Sequence, residues 1–588
     1  MRASRNFLFF LSILFHGQAI AKILVTADRK ALSEERASGQ VILLTRADIE
    51  NTGTQTLAEL LSKQPGIVIT QQGLSGGNTS LFLRGSEARH VLVLIDGVLV
   101  NDPSNPNRQF DFGHLNLAAI EEIEILKGSQ AVLYGSDAIS GVISLKTRDL
   151  QKNLISLSAG SYDTYEMSAA TGFNQFQLGI NITNAKGLSS AKSVNETPDG
   201  RENLHLYSSY KLETKKMGQF IFRGRLNQDH FDFDDIDVAG NPIDAKNNKT
   251  KQKENQQSIV WNYLLSEATG LEVQVSRYSL TREVSQNESK SKFSGEHRHG
   301  HLLLNQQWSE QQYTTIGLEA RFEEYKQSAD DSKEILTPYI FHRYDFKKFF
   351  ISGGLRFNKE NSSKEFLSYQ TTIGHIFKNG HLKANYSTGH KNPSLFQLFD
   401  PLYGNSLLSS EKSKHGELSS RFELLDKKLG FELSYFITKL TNRFDFDPTS
   451  FKTINGGDAK ISGQEVSLDY QWLNHTTFIS FQQLKTLDEV TQNRLIRRPR
   501  HLIQAGQNFK YSDLVSLSWD YQFISSKKEF GDQTIGSASI WNLSLGGIIK
   551  KDLSYRASLM NLFDKDYETA RGYNSPGRNW RISLGLSF

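Results

Sequence analysis

The chain has 588 residues, a formal net charge of +4 and no cysteine. The length allows more than one domain, the balanced charge gives no nucleic-acid signal, and the lack of cysteine excludes disulfides, CxxC redox pairs and cysteine zinc sites. After the first residues no apolar run of about 18 residues occurs, which excludes a bundle of transmembrane helices. Two classes stay open: a soluble all-β protein and a membrane β-barrel, whose strands alternate between lipid and lumen.

Residues 1–21 are predicted to be a secretory signal peptide. They combine a positive start, an apolar core at Phe7–Phe15 and an A-x-A cleavage site at Ala19–Ala21. The mature chain would then begin with KILVTA, Lys22–Ala27, a short β-forming segment. At a chain end, such a segment can add as a strand to another protein's sheet or can be an ordinary first strand.

Short helix and strand patterns follow. Val41–Leu44 is predicted to be a strand, and Thr45 with Asp48 fits the start of a helix. Thr54–Ser62 is predicted to be a helix because its leucines fall on one face, and Ile67–Thr70 to be a strand after a Pro-Gly turn. This alternation indicates a small α+β unit.

Two polar loops interrupt this unit. Gln71–Ser80, QQGLSGGNTS, is rich in glycine, which allows close backbone approach to a ligand, and carries neutral hydrogen-bonding side chains. It lacks the charge of a phosphate site and can also be a plain hairpin loop. Asn101–Asp111, NDPSNPNRQFD, is a second polar loop with two prolines.

From about Leu150 the sequence pattern changes to strict alternation of apolar and polar residues. Phe176–Thr183, Phe431–Thr438 and the last nine residues, 580–588, show one apolar and one polar face. A barrel wall between lipid and a wet lumen has this pattern, but a soluble sandwich has it too. At roughly 20 residues per strand and turn, residues 150–588 allow about 22 strands, the size class of barrels with a plugged lumen. Long polar insertions, expected outside the cell, are Asn184–Glu202, Gln228–Gln256, Phe396–His415 and Asp445–Gly463.

Two stretches of the α+β unit resemble a known family. LFLRGSEARHVLVLIDGVLV, Leu81–Val100, and IEEIEILKGSQAVLYGSDAISGVISLKT, Ile120–Thr147, resemble the plug of the TonB-dependent outer-membrane transporters. The segments 402–418 and 561–578 resemble that family's barrel, and Phe588 resembles the terminal aromatic residue that signals barrel assembly.

The resemblance implies an all-β membrane barrel of about 22 antiparallel strands with an N-terminal α+β plug domain inside the lumen. The implied domains are a signal peptide (1–21), a Ton box with a mobile N-terminus (22–30), the plug (31–149) and the barrel (150–588). The implied location is the bacterial outer membrane. The implied partners are outer-membrane lipids, the barrel assembly machinery during biogenesis, and TonB of the inner-membrane energy-coupling complex, with no nucleic acid. In the family, KILVTA stands at the place of the Ton box, and the TonB-coupling residues are Lys22, Ile23, Leu24, Val25, Thr26 and Ala27.

Within the family, the plug segments are most similar to those of cobalamin transporters. Cobalamin is large, polar and nearly neutral, so its site should offer neutral hydrogen bonds and apolar rims without a dense charge cluster. The expected substrate-binding residues are Gln72, Leu74, Asn78, Thr79, Ser80, Leu81 and Asn101. A ferric siderophore or haem is the alternative ligand, for which an Arg/Lys and aromatic cluster is expected. Near the loop Gln71–Ser80 only Arg84 and Arg89 are basic, and Arg84 belongs to the general family motif.

No cofactor is expected for chemistry, but two clusters allow a metal. Cobalamin transporters order their loops with calcium, and the expected calcium ligands here are Asp232, Asp234, Asp235 and Asp199. The alternative is a solvated acidic loop. His297, His299 and His301 would share one face of a strand, either as a Zn²⁺ or Cu²⁺ site or as an ordinary strand start.

The predicted function is active uptake rather than catalysis. A barrel enzyme and a passive porin are the rival classes. No HExxH pattern appears, and neither rival needs a plug with a Ton box.

Overall fold

The computed structural model describes residues 23–24, 28–30, 32–54, 56–73, 77–192, 197–237, 240–326, 330–361 and 364–588. The predicted signal peptide and most of the predicted Ton box lie outside these residues. In the part of the chain that is described, no helix is long and apolar enough to cross a membrane.

Twenty-two antiparallel strands form one closed barrel. In chain order they are Leu154–Gly160, Thr164–Phe173, Phe176–Ala185, Arg201–Thr214, Gly218–Asp232, Lys249–Ser266, Thr269–Gln286, Ser289–Ser309, Gln312–Lys326, Asp330–Phe346, Phe349–Glu360, Phe366–Phe377, Gly380–Lys391, Glu411–Leu424, Leu429–Thr441, Ala459–Trp472, His475–Asp488, His501–Lys510, Ser516–Ile524, Ala538–Lys550, Leu553–Met560 and Asn579–Ser587. The last strand pairs with the first from Leu154↔Ser587 to Gly160↔Arg581, so the sheet has no free edge. The predicted strand number is confirmed.

The outer surface of the barrel is apolar. Phe176, Leu178 and Ile182 are 44%, 45% and 43% exposed, whereas Gln177 and Asn181 between them are buried inside. The last strand repeats the pattern, with its exposed side chains at Trp580, Ile582, Leu584, Leu586 and Phe588. Alternation along each strand therefore separates an apolar belt from a polar lumen, as predicted.

The α+β plug fills the lumen. Its main sheet has the strand order Gln40–Leu44, Ile120–Lys127, Gly141–Thr147, Val91–Ile95 and Val98–Leu99. Only Val91–Ile95 and Gly141–Thr147 run parallel. Further elements are the two-stranded sheets Ile23–Leu24 with Leu32–Ser33 and Ile67–Gln71 with Thr79–Leu83, the helices Arg46–Asn51, Leu57–Ser62 and Ala131–Tyr134, and the 3-10 turns Glu34–Arg36, Ala88–His90 and Leu117–Ala119. The plug core includes the barrel residues Tyr278 and Leu280, so plug and barrel pack as one interior.

The plug helices begin at hydroxyl caps. Thr45 and Asp48 form the capping box that the sequence predicts, which satisfies two backbone donors at the start of Arg46–Asn51. The second helix begins at Leu57 rather than at the predicted Thr54. Thr56 is its N-cap: its backbone is extended, and its side chain accepts a hydrogen bond from the Glu59 N–H.

All long barrel loops leave the same end of the barrel. They are residues 186–200, 233–248, 392–410, 442–458, 489–500, 525–537 and 561–578. They carry the hairpins Asp235–Ile236 with Pro242–Ile243, Phe444–Asp447 with Lys452–Asn455 and Lys527–Lys528 with Thr534–Ile535, the helix Leu395–Phe399 and the 3-10 turn Phe530–Asp532. The predicted insertion Gln228–Gln256 is too long, because its flanking strands run on to Asp232 and resume at Lys249. Strands that rise above the apolar belt are polar on both faces, so alternation does not mark their ends.

Candidate functional site

A large open cavity lies between the plug and the long loops. Its volume is about 1130 Å³. The plug supplies its floor through Asn78, Ser80, Phe82, Glu87, Ala88, Arg89, Pro106, Asn107 and Gln109. Its walls come from loops 392–410, 442–458, 489–500 and 525–537. The two plug loops that the sequence singles out thus meet the barrel loops at one site.

Neutral polar side chains cover part of the floor. Gln109 donates through Nε2 to Asn78 Oδ1 at 3.1 Å and to Ser80 Oγ at 3.4 Å. These bonds join the loop Gln71–Ser80 to the loop Asn101–Asp111 and present amide and hydroxyl groups toward the cavity. Asn78 and Ser80 are therefore placed where the sequence predicts ligand contacts, and Gln109 joins them.

Three predicted ligand residues point into the plug instead. Thr79 and Leu81 are fully buried, because alternation along Thr79–Leu83 turns them away from the cavity. Asn101 accepts from the Val93 N–H at 2.8 Å and donates to the carbonyls of Val91 and Arg108 at 3.0 and 3.1 Å. In this structure these residues hold the loops in place, and their contact with ligand stays a prediction.

Of the other two predicted ligand residues, Gln72 does not line the cavity. Gln72 is half-buried, and its backbone N–H donates to the Asn78 carbonyl at 3.2 Å. Leu74 lies outside the described residues.

Paired charges line the walls. Arg498 pairs with Glu87 at 2.7 Å, and Arg443 with Asp488 at 2.7 Å. Two further arginines have carboxylate partners, in the pairs Arg497–Glu529 at 2.9 Å and Arg89–Glu411 at 3.4 Å. Burial alone would raise the pKa of Glu87, but Arg498 and Arg89 hold it far below its usual value. The cavity is thus rich in charges that largely cancel.

This charged wall corrects the expectation of few basic groups near the site. Three barrel loops that are remote from the plug in sequence supply five basic residues to the cavity: Arg443, Arg494, Arg497, Arg498 and Lys528. Only the basic run RLIRRPR at 494–500 could have signalled them. Aromatic rings accompany the charges: the Arg498 guanidinium lies 4.4 Å from the centre of the Phe82 ring.

Below the cavity, a buried ion-pair cluster joins plug and barrel. Arg84, in the Leu-Arg-Gly turn, pairs with Glu417 at 3.1 Å and with Glu465 at 3.0 Å. Lys127 also reaches Glu465 at 3.0 Å. Phe436, on the face of its strand that the sequence predicts as polar, lies with its ring centre 4.6 Å from the Arg84 guanidinium. Arg84 therefore has a structural role between the plug and the barrel.

A second chain of contacts runs from the cavity floor toward the N-terminus. Arg108, in the loop that carries Gln109, hydrogen-bonds to Asp137. Asp137 follows the helix Ala131–Tyr134, in which the Leu133 carbonyl accepts from Arg29 at 3.1 Å. Arg29 also pairs with Glu319 of the barrel at 3.3 Å. The residues that follow the predicted Ton box are thus connected to the ligand-side loop.

The predicted Ton box is described only at Ile23–Leu24, which pairs with Leu32–Ser33 as a short antiparallel strand. Lys22 and residues 25–27 lie outside the described residues. The described part of this segment therefore forms a strand, as predicted, and it pairs with another segment of the same chain.

The four aspartates predicted as calcium ligands have different hydrogen-bonding partners. Asp235 accepts from Gln286 and Asn287, and Asp232 accepts from the Gly200 N–H. Asp234 and Asp199 approach each other: burial and the neighbouring Asp234 raise the pKa of Asp199 to about 7, against hydrogen bonds from Ser190. Among the described residues, no group of three or more His, Asp or Glu side chains is close enough to hold a metal ion.

The three histidines do lie on one strand, Ser289–Ser309. The rings of His299 and His301 stack with centres 6.1 Å apart, and both histidines lie within 4.0 Å of Glu319. His297 hydrogen-bonds to the Asn101 carbonyl at 2.9 Å, and His301 to the Tyr339 hydroxyl at 2.9 Å.

Comparison with known proteins identifies this architecture. Residues 33–142 match the family described as TonB-dependent Receptor Plug Domain, and residues 149–562 the one described as TonB dependent receptor-like, beta-barrel. The chain belongs to the TonB-dependent receptors. It is therefore an outer-membrane protein of a family of receptors and transporters, and the cavity faces the cell exterior.

Two kinds of TonB-dependent receptor resemble the chain. The vitamin B12 transporter BtuB of Vibrio cholerae is 26% identical over 602 residues, which cover 96% of this chain and 95% of that protein. The siderophore receptor PirA of Acinetobacter baumannii has a TM-score of 0.79 at 16% identity, covering 93% of this chain and 98% of that one. A variant of the ferric enterobactin receptor PfeA of Pseudomonas aeruginosa, bound to enterobactin, has a TM-score of 0.81 at 16% identity, covering 94% and 100%. At such identity the solved structures show a shared fold alone.

Proposed function

We propose that this receptor takes up a cobalamin-type corrinoid across the outer membrane. The observation that carries the proposal is the match to the vitamin B12 transporter of Vibrio cholerae, which extends over nearly the whole length of both chains. The plug segment Leu81–Val100, which resembles that of cobalamin transporters, also supplies Phe82, Glu87 and Arg89 to the floor of the cavity.

The charge balance of the cavity supports this ligand class. Arg89, Arg443, Arg497 and Arg498 each have a carboxylate within 2.7–3.4 Å. Paired charges leave little net field for attracting an anion, whereas the amides and hydroxyls of the floor suit a large neutral ligand. Cobalamin has this character.

A ferric siderophore is the second candidate. Arg494 lines the cavity and donates to the Arg498 carbonyl at 2.9 Å, and within the described residues no carboxylate forms an ion pair with it. Rings at Phe82, Phe444 and Phe530 stand near arginines in the same cavity. A guanidinium without a carboxylate partner, in a cavity that also holds aromatic rings, suits an anionic, aromatic iron chelate.

Uptake would be driven by TonB acting on Lys22–Ala27. Ligand must favour the state with a released Ton box over the docked state, since equal binding to both would transmit nothing. The contacts from Arg108 through Asp137 and Leu133 to Arg29 supply a physical connection on which such a preference can act. Outer-membrane lipids and the assembly machinery would be the remaining partners.

Calcium would order the loops over the cavity. Asp199 and Asp234 form the nucleus of this proposed site, because two adjoining carboxylates repel each other unless a proton or a cation is shared. Asp232 and Asp235 would have to leave their present partners to join them. If cyanocobalamin affinity does not change with Ca²⁺ or chelator, the acids form only a solvated loop.

Growth rescue tests the ligand class. The receptor would be expressed in a strain that lacks its own corrinoid and siderophore receptors, on single corrinoids, iron chelates or haem. We expect rescue of corrinoid-dependent growth, and no rescue by a variant that lacks residues 22–27. Rescue by an iron chelate alone would favour the second candidate.

A further inference from the structure

Two extracellular loops above the cavity are joined into one unit. The Thr453 N–H, in loop 442–458, donates to the Tyr403 carbonyl of loop 392–410 at 3.1 Å. Asn405 Nδ2 donates to the Thr453 carbonyl at 2.9 Å. Ser409 and Asn455 exchange two further bonds, each of 2.9 Å. Backbone and amide bonds on both sides make this unit stiff, so side chains on it keep a fixed position over the site.

A series of aromatic rings follows this unit from the cavity to its rim. The ring centres of Phe396 and Tyr403 are 6.2 Å apart, those of Tyr403 and Phe446 6.3 Å, and those of Phe446 and Phe451 6.4 Å. We name these four residues the aromatic ladder. Its inner end contacts Tyr325 of the barrel wall, with ring centres 6.0 Å apart. Phe396, Tyr403 and Phe446 line the cavity, and Phe451 lies one ring farther out.

The outer rings are exposed to an extent that core packing does not explain. Phe446 is 50% and Phe451 61% exposed. Leu402 and Leu407, on the other loop of the unit, are 70% and 88% exposed, so both loops carry exposed apolar side chains. Large exposed apolar side chains grouped on one stiff unit indicate a place where something binds.

Phe451 is also held in an unfavourable backbone conformation. Its φ is +56°, in the left-handed region that glycine and asparagine adopt readily and that a bulky residue rarely adopts. The turn it occupies would be more stable with asparagine or glycine. Because Phe451 combines a strained backbone with an exposed ring, we infer that the ring has a function.

We propose that Phe446 and Phe451 are the first contact site for the apolar, methyl-bearing edge of the corrinoid macrocycle. The ligand packs against these outer rings and then moves inward along Tyr403 and Phe396 to the floor at Asn78 and Ser80. The proposal rests on the corrinoid function proposed above. The occupant is the ligand because the ladder is continuous with the cavity that receives it.

The experiment is stopped-flow binding of cyanocobalamin to the purified full-length receptor. We expect Phe451→Ala to lower the association rate constant by about three- to tenfold, the loss expected for one aromatic packing contact. The dissociation rate constant should change much less, because the final site lies deeper. Phe451→Trp should restore association.

Two variants separate the ring from other effects. Phe451→Asn suits the left-handed backbone and should lose association as Phe451→Ala does, which excludes misfolding of the turn as the cause. Phe563→Ala is the matched control, because Phe563 is 70% exposed on the extracellular loop 561–578 and packs against Trp541. It should leave the association rate constant unchanged.

The outcomes distinguish the two proposals. Equal association rate constants for Phe451→Ala, Phe563→Ala and the unmodified receptor would overturn the first contact site and leave the corrinoid function standing. No binding of cyanocobalamin by the unmodified receptor would overturn the corrinoid function, and with it the corrinoid as occupant of the ladder. Self-association lost in Phe451→Ala at unchanged association rates would assign the rim to a second copy of the chain instead.

Discussion

The hydroxyl of Thr569 binds both backbone polar groups of Gln71. It accepts from the Gln71 N–H at 3.0 Å and donates to the Gln71 carbonyl at 2.9 Å. Lys527 of a neighbouring extracellular loop donates to the Thr569 carbonyl at 2.7 Å. The plug strand that leads into the cavity floor is therefore fastened to the extracellular loops through one side chain.

Thr569→Val keeps the shape of this side chain and removes both hydrogen bonds. At about 0.5–1.5 kcal/mol for each bond, the Gln71 segment should open about 5- to 150-fold more often. Hydrogen–deuterium exchange of peptides that cover residues 67–73 measures this opening. Thr534→Val, on an exposed loop strand, is the control that should leave exchange unchanged. Equal exchange in both variants would show that Thr569 does not fasten the plug.

Arg84→Ala should loosen the plug strongly. It leaves Glu417 and Glu465 buried without their main cation, and breaking a buried ion pair costs about 3–5 kcal/mol. Plug unfolding by denaturant, followed by exchange of the plug peptides, should shift to lower concentration. Adding Glu417→Gln to Arg84→Met should recover part of the loss, because Glu417 then carries no charge and Glu465 keeps Lys127 as its partner. A single Arg84→Ala variant as stable as the unmodified receptor would contradict this account.

His114 gives the plug a pH dependence. Burial lowers its pKa, but Asp111 and Asp229 outweigh burial and raise it to about 10. A pKa raised on folding stabilises the plug fully below the unfolded value of about 6.5, and this stabilisation disappears as pH rises toward 10. The free energy of plug unfolding should therefore fall between pH 6.5 and 10, and in His114→Gln the fall should be absent. An identical pH profile in both proteins would refute the assignment.

Much of the architecture could be predicted from the sequence because it depends on local pattern. Period-2 alternation predicted the apolar belt at Phe176–Thr183, and Thr45 with Asp48 predicted a helix start. Loop bounds such as those around Asp232 could not be predicted, since strands above the membrane have no apolar face to mark them.

The candidate site was predictable only on its plug side. The glycine-rich, polar loop predicts ligand contacts for Asn78, Thr79 and Ser80. The structure places Asn78 and Ser80 at the cavity, whereas Thr79 begins a strand that turns its side chain inward. The arginines that line the walls come from loops whose meeting depends on barrel closure. Residues far apart in sequence can form such contacts without any local signal: Arg498 and Glu87 form an ion pair at 2.7 Å.

Leu24→Pro tests energy coupling. If the segment Lys22–Ala27 couples by adding as a strand to TonB, proline removes a backbone donor from that pairing. Uptake of cyanocobalamin by cells should be lost, while binding to the outer face stays nearly intact. A proline at Lys22, at the edge of the segment, should be tolerated better. Uptake at the normal rate in Leu24→Pro would rule out strand addition through this residue.

The most direct test of the corrinoid function is equilibrium binding of cyanocobalamin to the purified receptor at low and high salt with calcium held constant, beside several ferric siderophores and haem. The account predicts tight cyanocobalamin binding that changes little with salt, because the cavity arginines Arg443, Arg497 and Arg498 are already paired with carboxylates. Tight, salt-sensitive binding of an iron chelate, with no measurable binding of cyanocobalamin, would contradict it.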